Sequence, residues 1–204
     1  MKTRLTADQL QKIQSAVRQA LDGQLARYGL TCGEAEWLAA RDEIRALREI
    51  VYSGKLPHML AEGPPVDADD ERAHHFVARR DGVAVAALRL LPPPFEAAAI
   101  FTDLATALRP GGHYIELGRL VGNPGAGEVG AARVLALHAL DWGLHQTAYD
   151  GLLAYARERA SNHFRLLGME VALRVDSAPG KAEQPYVLLR AHLENTLNVL
   201  PTWG

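Results

Sequence analysis

The chain has 204 residues, 48% of them hydrophobic and 23% charged, and a formal net charge of −2; this is the size and balance of one ordinary globular domain, or of a domain with an appendage. The near-neutral charge argues against a nucleic-acid binder, and no apolar run approaches the ~20 residues of a membrane span. A single cysteine, Cys32, excludes an internal disulfide and a cysteine-rich metal site, and the N-terminal stretch lacks the apolar centre of a secretory signal, so a reducing, cytoplasmic setting is the expectation.

Thr6, followed three residues later by Gln9, fits a capping box, and Leu10, Ile13, Val17, Leu21 and Leu25 continue it as the apolar stripe of a helix. Gly29 and Gly33 punctuate a short link. A second helix is expected from about Ala35 to Tyr52, with Trp37, Leu38, Ile44, Leu47 and Val51 on its apolar side. A long loop rich in Pro, Gly and acid runs from Ser53 to Glu71. Phe76 and Val77 open a strand, Asp81-Gly82 is a hairpin turn, and Val83–Leu91 returns as the second strand until three prolines at 92–94 stop it. A short helix is read over 98–108, a strand over 113–122, a Gly-rich loop over 123–128 and a helix over 129–147. A strand over 149–156, a short helix ended by Gly168, and two last strands over 169–175 and 186–193 complete the chain. The pattern implies one mixed α/β (α+β) domain over 31–204 with a helical extension over 1–30, the extension's stripe packing on its own domain. With aromatics at 6%, the core must be built from Leu, Ala and Val.

The segment from Gly125 to Gly130 matches G-x-G-x-x-G between a strand and a helix. It suits a pyrophosphate laid on a helix N-terminus, a thioester cofactor held by the same physics, or a plain turn. The dinucleotide reading fits poorly, because the motif follows a hairpin sheet instead of opening a run of βαβ units.

Five short motifs then fall in order: "RALREIVY", "DADDERAHHFVA", "ALRLLPPP", "IFTDL" and "YIELGRLVG". From about Ala35 to Leu189 the chain resembles the GNAT N-acyltransferase superfamily, and within it the acyl-homoserine-lactone synthases and N-acyl amino acid synthases. The resemblance implies a GNAT-like three-layer fold whose mixed, mostly antiparallel sheet is splayed after the strand at 113–122. It implies transfer of an acyl group to a small amine, such as an amino acid or its derivative. The donor would be acyl-CoA or the phosphopantetheine of an acyl carrier protein, and acetyl transfer and a non-catalytic thioester-binding module are the alternatives. Residue by residue it carries Glu116 and Arg119 as catalytic; Arg48, Tyr52, Asp67, Asp70, Arg89 and Phe101 as acceptor-binding; and Leu120, Val121, Gly127, Val129, Gly130, Ala131, Ala132 and Asn162 as donor-binding. The superfamily's tyrosine acid falls on Phe164. No metal, nucleic acid or membrane is implied, and the chain is expected to be a monomer or a homodimer.

Glu116 reads as a base acting through water, as an orienting group for the acceptor, or as a buried acid paired with an arginine. In a regular strand Glu116 and Arg119 face opposite sides, and a bulge at Gly118 turns both to one face. Asp67 and Asp70 are either a solvated acidic loop or a holder for a cationic acceptor or for Arg48; Arg48 and Arg89 are structural partners or carboxylate clamps. His138 and His145, seven apart on one helix, lack the spacing of a metal pair. Arg157, Arg159 and Arg165 form either a solvated face or a landing patch for an acidic carrier protein.

Overall fold

The computed structural model describes residues 6–123, 130–146, 148–165, 168–177 and 184–193. Helix α1 (Ala7–Tyr28) starts at the Thr6/Gln9 capping box and ends at Gly29, whose φ of 60° is left-handed. Strand β1 (Thr31–Ala35) follows, then α2 (Trp37–Gly54), capped by the Glu36 carboxylate, and α3 (Pro57–Glu62). A 3₁₀ turn (Ala68–Arg72) leads into the hairpin of β2 (His74–Arg80) and β3 (Val83–Leu91). A second 3₁₀ turn (Glu96–Ala99) and the one-turn helix α4 (Leu104–Ala107) precede β4 (Tyr114–Gly122). Then come α5 (Ala131–His145), β5 (Gly151–Arg157), α6 (Asn162–Arg165), β6 (Glu170–Val175) and β7 (Tyr186–His192).

The sheet order is β1-β2-β3-β4-β5-β7-β6. Every pairing is antiparallel except β4 with β5. The expected mixed, mostly antiparallel sheet is therefore present, with two corrections. The link around Cys32 is not a loop: Thr31–Ala35 adds a strand to β2, a segment too short and too glycine-interrupted to show alternation. The helix expected over 98–108 is a 3₁₀ turn and a four-residue helix.

Three layers result. On one face α5 lies against the sheet with α1 outside it, and Ile13, Val17 and Leu21 share a cluster with Val134, Leu137, Leu88 and Ile115. Gln14 donates to the Leu144 carbonyl and Arg18 pairs with Asp141, so the N-terminal extension belongs to this core. On the other face α2 covers Val77, Ala87 and Val121, and the 96–107 segment covers Tyr114, Leu153 and Leu188. Among the described residues no helix is long and apolar enough to cross a membrane.

A buried ion pair ties α2 to the sheet. Arg48 Nη1 lies 2.8 Å from Asp70 Oδ2, both side chains fully buried, and Arg89 Nη1 of β3 lies 3.0 Å from Asp70 Oδ1. Burial alone would raise the Asp70 carboxyl, but the Arg48 bonds and charge, with Arg89, hold it near 2. His75 closes the packing, its ring stacked 4.4 Å from Trp37 and its Nε2 hydrogen-bonded to the Asp70 carbonyl.

Two stability outcomes follow from this packing. Arg48→Met leaves Asp70 one guanidinium short in the interior and is expected to cost about 3–5 kcal/mol in a denaturant titration. Gly151 begins the β4–β5 pairing opposite Tyr114, and a Cβ there would lie 2.5 Å from the Ala191 carbonyl oxygen and 2.7 Å from the Tyr114 ring. Gly151→Ala is expected to cost about 1–3 kcal/mol, read by thermal unfolding as a midpoint lower by roughly 2–12 °C.

Candidate active site

Strands β4 and β5 pair only from Tyr114↔Gly151 to Leu117↔Ala154, although β4 runs on to Gly122 and β5 to Arg157. The two strands therefore part after Leu117, as the resemblance implied. On its other edge β4 carries a bulge: Gly118 pairs with Arg89 and Val121 with Ala87, so β4 spends one residue more than β3. The extra residue is Arg119, with φ of 51°. The bulge thus falls on the arginine itself, one residue after the glycine that seemed suited to it, and it turns Arg119 onto the Glu116 side of the sheet.

A cavity of about 190 Å³ passes through the gap. Its wall on the α5 side is apolar, with Leu117, Leu120, Ala156 and Phe164. On the α2 side it carries Tyr52, Glu96, Arg119 and Tyr155. Arg157 and Arg159 also line it. Phe164 contributes a ring and no hydroxyl.

The charges behind the α2-side wall balance closely. Arg119 Nη2 lies 2.7 Å from Asp67 Oδ2 and 3.4 Å from Glu96 Oε1. Arg89 lies 2.7 Å from Asp67 Oδ1 and 2.8 Å from Glu96 Oε2. With the Arg48–Asp70 pair, three guanidiniums face three carboxylates. Asp67 and Asp70 are thus partners of arginines, with Asp70 on Arg48 and Asp67 bridging Arg89 and Arg119; the solvated-loop reading does not describe them.

Glu116 stands outside this balance. Its side chain is buried, at 1% exposure. One oxygen accepts the Ala97 backbone N–H at 3.3 Å, and the other has no hydrogen-bond partner among the described residues. Burial pushes the carboxyl up to about 7; the Ala97 bond opposes this, the neighbouring Glu96 charge adds to it, and Arg89 and the Glu96 backbone N–H oppose it. The pairing with Arg119 that sequence spacing allowed is not made. A carboxyl that is unpaired and half-protonated near neutral pH can take and return a proton. The Tyr52 hydroxyl, on the cavity wall and buried, faces Arg119 without a hydrogen bond of good geometry among the described residues.

The remaining site expectations divide. Leu120 lines the cavity, whereas Val121 packs under α2. Phe101 is buried with Ala97, Leu104 and Tyr114 in the core. Gly130, with φ of 108°, caps α5, and the Tyr28 ring occupies the place a Cβ would take; Ala131 and Ala132 form the first turn. Asn162 is exposed on α6 and is not among the lining residues. Gly127 and Val129 lie outside the described residues, as does most of the Gly-rich loop. Among the described residues no group of His, Cys, Asp and Glu is placed to hold a metal ion.

Two residues were missed. Glu96 comes two residues after the last proline and seven after Arg89, and an acid at that distance from a strand-ending arginine is a visible pairing signal. Tyr155 interrupts the apolar run of β5. Its hydroxyl faces Glu96, and burial, followed by the Glu96 charge, holds it well above the usual phenol value, so it remains a neutral donor.

No family profile and no curated relative matches the sequence. Solved structures do match by shape. FeeM, an N-acyl amino acid synthase from uncultured soil microbes, is 15% identical, with 83% of this chain and 94% of that one covered and a TM-score of 0.64. An N-acetyltransferase from Staphylococcus aureus is 12% identical over 80% of this chain and 98% of its own, with a TM-score of 0.56. Naa50 of Arabidopsis thaliana, in complex with a bisubstrate analogue that includes CoA, is 10% identical over 79% and 97%, with a TM-score of 0.57. At these identities the likeness is one of fold, and the fold of this chain is that of the GNAT N-acyltransferases.

Proposed function

We propose that the chain is an N-acyltransferase that moves an acyl group from an acyl-CoA or acyl-carrier-protein thioester to the amine of a small metabolite, an amino acid or a derivative of one. The observation that carries this reading is the buried Glu116 carboxyl, which does not itself line the cavity but stands behind its wall, next to the lining residues Leu117 and Glu96, where β4 and β5 part. Aminolysis of a thioester needs a neutral amine, a polarised carbonyl and a destination for the amine's proton. Glu116, acting through water, receives the proton as the amine nitrogen bonds to the acyl carbon, and the sulfur departs as thiolate. Backbone N–H groups of β4 beyond Leu117, where pairing with β5 has ended, suit the developing oxyanion. The three arginines and three carboxylates leave the α2 side close to neutral until Glu116 ionises, and an ammonium entering there meets one surplus negative charge.

The apolar wall suits an acyl chain. The shape likeness to FeeM, named as an N-acyl amino acid synthase, supports the same reading. Acetyl transfer from acetyl-CoA is the second reading, and the neighbours named as N-acetyltransferases favour it. Arg157 and Arg159 at the cavity suit an anionic donor in either case, a carrier protein included. In a cytoplasmic setting both donors are at hand.

Incubating the pure protein with acyl-CoA and acyl-carrier donors of varied length and a pool of amines, with products read by mass spectrometry, tests this. Acyl amides longer than acetyl are expected; acetyl amides alone would select the second reading, and thioester binding without any product would make the chain a binding module. Glu116→Gln is expected to lower kcat by about 10²-fold or more with little change in KM, and an unchanged kcat would remove Glu116 as the base.

Glu116 also has a signature independent of turnover. Its folded form holds a proton more tightly than the unfolded chain does, so its contribution to stability is complete below pH 4.5 and is lost as pH rises through about 7. The stability of Glu116→Gln relative to the parent is therefore expected to rise with pH across that window, at up to about 1.4 kcal/mol per pH unit. Parallel unfolding curves at pH 5, 6, 7 and 8 check it.

A further inference from the structure

Glu116 escapes the ion pair that its surroundings offer. The bulge brings Arg119 to its side of the sheet, and Arg89 of β3, paired with Gly118, stands on that side as well. A buried carboxylate that feels a guanidinium, as Glu116 feels Arg89, would ordinarily bind it. Both arginines are held through their terminal nitrogens, Arg89 Nη1 also by Asp70, while the Nε of each has no hydrogen-bond partner among the described residues. Arg89 Nη2 donates to Glu96 Oε2 at 2.8 Å, Arg119 Nη2 lies 3.4 Å from Glu96 Oε1, and Asp67 takes one further nitrogen contact from each. Glu96 also begins the turn whose next residue, Ala97, gives its N–H to Glu116. The groups that face Glu116 are therefore Glu96 and the Ala97 N–H from that turn, Arg89 from β3 and Tyr155 from β5, with Arg119 on its own strand turned towards Asp67 and Glu96.

We propose that Glu96 is the positioning residue of the site: it clamps the Arg89 and Arg119 guanidiniums and so keeps the Glu116 carboxyl unpaired behind the cavity wall. Asp67 cannot do this alone, because it reaches Arg89 through Nη1 and leaves Nη2 to Glu96. Without the Glu96 charge, Arg89 Nη2 is free to turn to Glu116, and the base becomes half of a structural ion pair. The device rests on the reading of Glu116 as the base, but its physical content, an unpaired carboxyl maintained by a neighbouring one, is measurable without turnover.

The test is an NMR titration of the protein with ¹³C-labelled glutamate carboxyls, the Glu116 signal assigned by its loss in Glu116→Gln. In the parent its midpoint is expected near 7. In Glu96→Gln the like charge is gone and a guanidinium is released, and both changes favour ionised Glu116, so the midpoint is expected to fall by about 1–2 pH units. Glu96→Asp keeps the charge but draws it back, and its midpoint is expected between the two. With a productive donor and amine, the acid limb of the kcat–pH profile is expected to move down with the midpoint, while the plateau drops by roughly tenfold as the base weakens. A loss of activity with an unmoved limb is what a merely structural Glu96 would give, and it would overturn the proposal. A folded variant of either kind whose Glu116 midpoint stays at the parent value would overturn it as well. If the parent turns over no thioester at all, the base reading fails, and the titration still decides what Glu96 does.

Discussion

The end of pairing between β4 and β5 at Leu117 and Ala154 is the constraint on which the rest of the structure depends. Parting two neighbouring strands inside a sheet exposes backbone groups that would otherwise bond each other, and it survives only if both strands are anchored elsewhere. β4 keeps its antiparallel bonds to β3, and β5 keeps seven paired positions with β7. On the α5 side the shared cluster with α1 and α5 grips Ile115, Leu117, Ala154 and Ala156. The opening is thus held from both sides, by strand pairing and by the shared core cluster. It passes from an apolar wall to a polar one, which suits the proposed joining of an acyl thioester to an amine.

The second organising feature is how the buried charges are divided. Arginines and acids placed in one interior will pair wherever geometry permits, and unpaired buried charge is costly. Asp70, held near 2 by Arg48 and Arg89, and Asp67, shared by Arg89 and Arg119, are acids committed to structure. Glu116, which feels the same Arg89, is pushed the opposite way by burial. Two kinds of carboxyl therefore coexist in one small region, separated by which of them the guanidiniums can reach. The left-handed Arg119 and the turn at Glu96 set that reach.

Much of the fold was legible in the sequence because it rests on local rules. The Thr6/Gln9 box, the stripe of α1, the Asp81-Gly82 turn and the proline stop after β3 each name their own structure. The residues of β1 did not, since Thr31–Ala35 becomes a strand only by pairing with β2, a non-local interaction with no periodic trace in five residues. The 98–108 segment read as a helix because its alanines and leucines favour one, but it is folded into two short turns over Tyr114 and Leu188. At the site, residue types and order identified the acids and arginines, while their partners depended on the bulge. Which acids Arg119 meets depends on its own left-handed φ, and Glu96 and Tyr155 acquire meaning only once the gap brings them to the same wall as Arg119.

The central claim is that an acyl thioester lies in the gap between β4 and β5 with its carbonyl near β4 and Glu116 behind the incoming amine. The most direct measurement is a crystal structure with an unreactive thioether analogue of an acyl-pantetheine donor. The account places its sulfur and carbonyl carbon between Leu117–Leu120 and Tyr155–Arg157, its acyl chain against Phe164 and Leu120, and the unpaired Glu116 oxygen within reach of one bridging water. An analogue bound elsewhere on the molecule, or a gap that stays empty at saturating analogue, would contradict it.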